Sequence, residues 1–262
     1  MKTRIRTGVC VVAALVMVPV LAACGQGGEA RSGRTAVPPH ASSTGGSGSA
    51  GKSAPFPQSA RTDAVLPAEL PGLGPRTRAE IAPGTRQALV VTGRDRDSTE
   101  AEAVLYEKTA EGGWKAGATW AAQNARKGWT EHHVQGDLRS PIGVYGLTDA
   151  GGLLTDPGTK LPYDRGRGYT IDGTDSFGQS LRGSFDYVIA INYNRHEGRN
   201  PLDWGRPLGA GRGGGIWLHV EHTSPTQGCV ALKREVMREL LRTLDPAKKP
   251  VVVMGPKADL AE

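Results

Sequence analysis

Cysteine is almost absent from this chain, with three in 262 residues, at positions 10, 24 and 229. So few exclude a scaffold held together by disulfides. No apolar run reaches the roughly 20 residues that a membrane-spanning helix needs; Val9 to Leu21, the longest, has about 13. Lys and Arg outnumber Asp and Glu, 32 to 26, for a net charge of +6. That excess is spread out, with no dense cationic strip interleaved with aromatics, which argues against nucleic acid as a partner. A dispersed positive charge suits anionic polymers or lipid head groups instead.

What is present at the N-terminus reads as an export signal, residues 1–23. Lys2, Arg4 and Arg6 precede the apolar run, and Leu21-Ala22-Ala23-Cys24 closes it. An ordinary secretory signal with a chance cysteine is the alternative. The pattern resembles a bacterial lipoprotein, which implies cleavage before Cys24, acylation of its thiol and a lipid anchor on the extracytoplasmic face of the cell membrane. Residues 24–61 are dominated by Gly, Ser, Ala and Pro and cannot bury enough surface to fold. They are expected to be a disordered tether with an r.m.s. span of roughly 35 Å.

The rest divides into a leader or small extension, 62–87, and one domain, 88–262. Short apolar, β-branched runs bounded by glycine predict strands at 88–92, 103–107, 114–120, 142–147, 185–193, 216–220 and 251–254. Their succession points to a mainly β fold built as an antiparallel meander. One helix is expected over 233–244, where Val236, Leu240, Leu241 and Leu244 recur at helical spacing before Asp245-Pro246 stops it. Residues 148–184 read as long loops of the kind that wall binding sites.

With Cys10 removed and Cys24 lipidated, Cys229 is left as an unpaired thiol. Along Ile216 to Glu221, strand alternation puts Trp217, His219 and Glu221 on one face and Ile216, Leu218 and Val220 on the other. An imidazole near a thiol whose ordinary pKa is about 8.5 is the pattern of a base and its nucleophile. A helix starting just beyond Cys229 would place its positive end near the sulfur. Gly228 permits close backbone approach, so the amides of Gly228 and Cys229 are candidate oxyanion donors. Trp217, Thr226, Gln227 and Tyr193 are candidate substrate contacts, whereas His132, His133 and His196 read as surface residues. Two other readings stay open: a buried bystander thiol beside a satisfied histidine, and a zinc site from His219, His222 and Cys229, which lacks a fourth ligand.

Gly215-Ile216-Trp217-Leu218-His219-Val220 followed by Pro225-Thr226-Gln227-Gly228-Cys229-Val230 resembles the L,D-transpeptidase catalytic domain. Arg139 to Tyr145 and the closing helix and strand, to Gly255, are similar to further parts of that family. The resemblance implies a β-sandwich or flattened barrel, Cys229 as nucleophile and His219 as base then acid. It also implies that the Val220 carbonyl orients the histidine and that the substrates are peptidoglycan stem peptides joined by 3→3 cross-links; no cofactor and no metal are expected. The chain departs from the family pattern at Thr226-Gln227, where Ser-His is usual, and at Ala231, where Arg or Asn is usual. His222 is a candidate for the missing imidazole and Arg234 for the missing polar group.

Overall fold

A computed structural model describes residues 65–175 and 178–262. The expected signal, Cys24 and the tether lie outside the described residues. Helix α1 (Pro75–Ala79) precedes three long strands, β1 (Gln87–Gly93), β2 (Glu100–Lys108) and β3 (Trp114–Gln123), which pair antiparallel in succession. Strands β4 (Trp129–Thr130) and β5 (Ser140–Pro141) form a small separate pair. Then come β6 (Gly143–Gly146), β7 (Ala150–Gly152), β8 (Tyr163–Arg165), β9 (Val188–Ala190), β10 (Trp217–Val220) and β11 (Val230–Leu232). Helix α2 (Arg234–Thr243), β12 (Val251–Pro256) and helix α3 (Lys257–Leu260) complete the order. Ten strands make one curled sheet, in the order β6-β12-β1-β2-β3-β11-β10-β9-β7-β8. The fold is mainly β, an open half-barrel.

The sheet is mixed, which corrects the expectation of a wholly antiparallel meander. Strands β1 and β12, β10 and β11, and β7 and β8 pair in parallel. Among paired neighbours only β1 to β3 follow one another through short turns; the parallel pairs need longer connections, such as residues 221–229 between β10 and β11.

Strand β1 shows why the sheet is covered on both sides. Leu89 and Val91 face the main core, while Ala88 and Val90 face a second cluster with Trp114, Val251 and Val253. A strand buried on both faces reads as an unbroken apolar run, and Ala88 to Val91 is one. Residues 65–86 supply the outer cover, with Leu70 and Leu73 in that second cluster. On the inner side, α2 lays Val236, Met237, Leu240 and Leu241 against Leu218, Val230 and Leu232. Among the described residues no helix is long and apolar enough to cross a membrane.

Three boundaries differ from those read in the sequence. Strand β11 stands between Cys229 and α2, so about 13 Å of extended chain separates the thiol from the helix start. The helix dipole therefore does not act directly on the sulfur. The run expected as a strand over 185–193 is regular only at β9, because a turn and bend over 182–187 precede it and the chain turns away after it through Asn194, whose φ is 46°. Strands β7 and β8 lie inside the segment read as loops.

Candidate active site

Register fixes the centre of the site. Leu218 pairs with Val230 and His219 with Ala231, so Cys229 lies level with Trp217. Leu218 and Val230 point into the main core. Alternation then turns Trp217, His219, Cys229 and Ala231 to the opposite face. The Trp217 amide donates to the Cys229 sulfur at 3.4 Å, and the thiol donates to the Gly215 carbonyl at 3.6 Å.

His219 is 3% exposed, and its Nδ1 lies 2.9 Å from the Val220 carbonyl oxygen. A carbonyl only accepts, so Nδ1 carries the proton and Nε2 is left as the acceptor. Phe185 packs edge-on against the imidazole at 5.5 Å, and His222 stacks on it at 5.7 Å with planes 10° apart. His222 Nδ1 meets the Ser224 hydroxyl at 3.1 Å, and that hydroxyl donates to Asp175. Strand alternation does not govern His222, because the chain has left β10 at Val220 and folds back. Glu221 belongs elsewhere, in a cleft of about 800 Å³ over β1 to β3 whose lining contains neither His219 nor Cys229.

Burial sets the charge state. It pushes the His219 imidazole down to about 4, against the opposing pull of the Val220 carbonyl and with help from nearby His222. Burial also pushes the Cys229 thiol up to about 11, partly offset by the Trp217 amide. The free protein therefore holds a neutral thiol and a neutral imidazole on one face, with Cys229 part-buried and lining the cavity above them.

The turn before the thiol is held by side chains. The Thr226 hydroxyl donates to the Cys229 carbonyl at 2.6 Å and accepts from the Gly228 amide at 3.3 Å. Ser140 reaches the same Cys229 carbonyl at 3.4 Å. Of the two amides expected as oxyanion donors, Gly228's is thus already turned to Thr226. A cavity of about 490 Å³ opens over the pair, lined among others by His219, His222, Phe185, Thr226, Gln227 and Cys229.

Several expected positions are corrected. The Trp217 ring does not line that cavity; it is packed between Tyr169 and Phe185 and is 9% exposed. Tyr193 sits behind the site, donating to the Arg212 carbonyl at 2.8 Å with its ring edge-on to His133. His133 is 4% exposed, 3.0 Å from Asp137, against the back of the Gly228 turn, so it is no surface residue. Arg234 pairs with Asp186, outside the thiol cavity. Among the described residues no three His, Cys, Asp or Glu side chains come together as metal ligands. Arg126, Asp175, Ser184 and Phe185 line the cavity without any sequence signal, since each arrives from a loop or bridge remote from Cys229.

Residues 85–253 match the family model described as the L,D-transpeptidase catalytic domain, YkuD. No curated protein matches the chain. Among solved structures, the helical cell shape determining protein Pgp2 from Campylobacter jejuni is similar at 18% identity and a TM-score of 0.36, over 64% of this chain and 46% of that one. The matched part is therefore under half the length of that protein.

Proposed function

Because the chain belongs to the L,D-transpeptidase catalytic-domain family, we propose that it is a cysteine acyltransferase acting on peptidoglycan stem peptides. The observation that carries this reading is the unpaired Cys229 sharing one sheet face with His219 beneath a cavity of about 490 Å³. His219 Nε2 takes the thiol proton as sulfur attacks the carbonyl of the diaminoacyl residue, third in the stem. Charge gathers on the carbonyl oxygen near the Cys229 amide. As the C–N bond breaks, the imidazolium returns the proton to the leaving amine, and a D-amino acid departs from the thioester. A neighbouring stem's amine then attacks the thioester, gives its proton to His219 and releases the thiol, forming a 3→3 cross-link; water in its place yields a carboxylate.

The resting charge state opposes the first proton transfer, so the thiol must turn from the Gly215 carbonyl toward His219 when substrate fills the cavity. That same resting state favours a second reading, a wall-binding protein without turnover. Incubation with a carbapenem and intact-mass measurement separates the two. Acyl transfer gives an adduct on the wild type and none on Cys229→Ala, whereas no wild-type adduct leaves the binding reading. Muropeptide mass spectrometry with and without an acceptor amine separates transfer from hydrolysis.

The lipid anchor belongs to the same proposal. Acylated Cys24 and the 24–61 tether hold the domain at the membrane while it reaches the wall. Cys24→Ala should move the protein from the membrane fraction to the soluble one; retention in the membrane would rule the anchor out.

A further inference from the structure

Ala231, two residues beyond the thiol, is fully buried, in register with His219 on one side and Gln123 on the other. It offers the cavity nothing polar. One arginine, Arg126, and one acidic residue, Asp175, are among the residues that line the cavity. Arg126 comes from a different part of the chain, yet it is fastened to the turn that bears the thiol. Its amide donates to the Thr226 carbonyl at 2.9 Å, and the Thr226 amide donates to the Asn124 carbonyl at 3.0 Å. Next to it, the Ala125 amide donates at 3.0 Å to the same Ser140 hydroxyl that reaches the Cys229 carbonyl. The base of the Arg126 side chain is thus tied by backbone hydrogen bonds three residues before the nucleophile.

Ser184 supplies a second, independent observation. It is 2% exposed, lines the cavity, and its hydroxyl has no hydrogen-bond partner. Its backbone carbonyl accepts from the Val220 amide at 3.0 Å, which locks it beside the segment that orients His219. A buried hydroxyl left without a partner costs free energy unless a ligand completes it.

We propose that Arg126, assisted by the Ser184 hydroxyl, binds the terminal carboxylate of the donor peptide, the group carried by the amino acid that leaves. A planar guanidinium takes a carboxylate through paired hydrogen bonds, and the hydroxyl adds a third donor. Arg126 and Asp175 each hold a contact in the free protein, so substrate exchanges partners there. The assignment rests on the acyl-transfer reading for its substrate, and its test is kept separate from turnover.

The full-length protein carrying Cys229→Ala is titrated with a synthetic stem peptide ending in a diaminoacyl–D-alanine acid, and with the same peptide as its carboxamide. The acid should bind roughly 10–100-fold more tightly. Adding Arg126→Gln should bring the two to equal affinity, and Ser184→Ala should cut the acid's advantage several-fold. Equal affinities before Arg126 is changed, or an acid preference that survives Arg126→Gln, would overturn the assignment. If Arg126→Gln does not fold, Arg126→Lys carries the test, since it keeps the charge without the planar fork. Its acid preference should drop several-fold, and an unchanged preference overturns the proposal. The carbapenem adduct on the protein with Cys229 intact reports on acyl transfer independently: carboxylate discrimination without an adduct would sink the reaction and leave the recognition standing.

Discussion

Asp149 and Arg195 form one buried polar pair, and His219 and Cys229 form another, and the fold treats them in opposite ways. The first is densely hydrogen-bonded. Arg195 Nη1 lies 2.8 Å from Asp149 Oδ2 and 2.6 Å from Asn192 Oδ1, while Asp149 also accepts from the Gly198 amide at 3.0 Å and the Thr148 hydroxyl at 2.6 Å. The second pair is buried uncharged, with one carbonyl for the imidazole and one weak sulfur contact on either side of the thiol. Burying charge is tolerated when the charges pair and gather further hydrogen bonds, and burying neutral groups when charge is withheld. The first solution gives rigidity. The second leaves two groups able to exchange a proton once something enters the cavity.

The sharpest way to break the comparison is Asp149→Ala, which strands the Arg195 guanidinium in the interior. It should cost about 3–5 kcal/mol of stability, read by chemical denaturation, while carbapenem acylation persists below the melting point. A loss under about 1 kcal/mol would mean that this dense hydrogen bonding matters little here.

Next in size is the pH dependence. His219 has a folded pKa near 4, below its ordinary 6.5, so the unfolded chain binds a proton first as pH falls. Stability should be whole above about 6.5 and decline toward pH 4 at up to ~1.4 kcal/mol per unit for that one group. Burial lowers His133 and His222 too, so they share the slope. Denaturation midpoints from pH 4 to 8 should show His219→Gln flattening it; an unchanged slope would move the effect to the other two histidines. The thiol acts at the other end, since a folded pKa near 11, above its ordinary range of about 8.5–9, removes stability as pH rises between those values. Cys229→Ser should abolish that alkaline decline.

Thr226→Val removes the hydroxyl that spans the Gly228 amide and the Cys229 carbonyl. We expect about 1–2 kcal/mol of destabilisation and slower acylation with an unchanged pH slope. Gly228→Ala should be smallest. Its new methyl would meet the Ile216 Cδ1 at 2.9 Å, a side-chain tip that can shift, at a cost of about 1 kcal/mol. Loss of folding would show that the turn tolerates no methyl at all.

What the sequence reveals depends on how local each signal is. Strands β1 to β3 and helix α2 carry their periodicity in consecutive residues, so they are legible. The placement of Trp217 and His219 opposite Leu218 follows from alternation and is legible too, whereas Cys229 joins that face only through the register of β10 with the strand that follows the thiol. Strand β11 is hidden because three residues, Val230 to Leu232, run directly into a stronger helical pattern. Strands β7 and β8 are hidden because Ala150-Gly151-Gly152 and Tyr163-Asp164-Arg165 pair through backbone without apolar alternation. His133 looks like a surface residue in its polar stretch, and is buried because Tyr193, Gly213 and Gly228 close over it from far along the chain. The cavity walls from Arg126, Asp175 and Ser184 are tertiary in the same sense.

The parallel seam between β1 and β12 has a kinetic consequence. Ala88 to Gly93 find their partners at Val251 to Pro256, and β6 attaches to the sheet through β12 alone. A chain lacking residues 251–256 therefore has neither the partner that buries one edge of β1 nor the strand that holds β6. Closing contacts so distant in sequence is slow. The domain should stay pliable along most of its length during synthesis and lock late, when that one strand slides between two others.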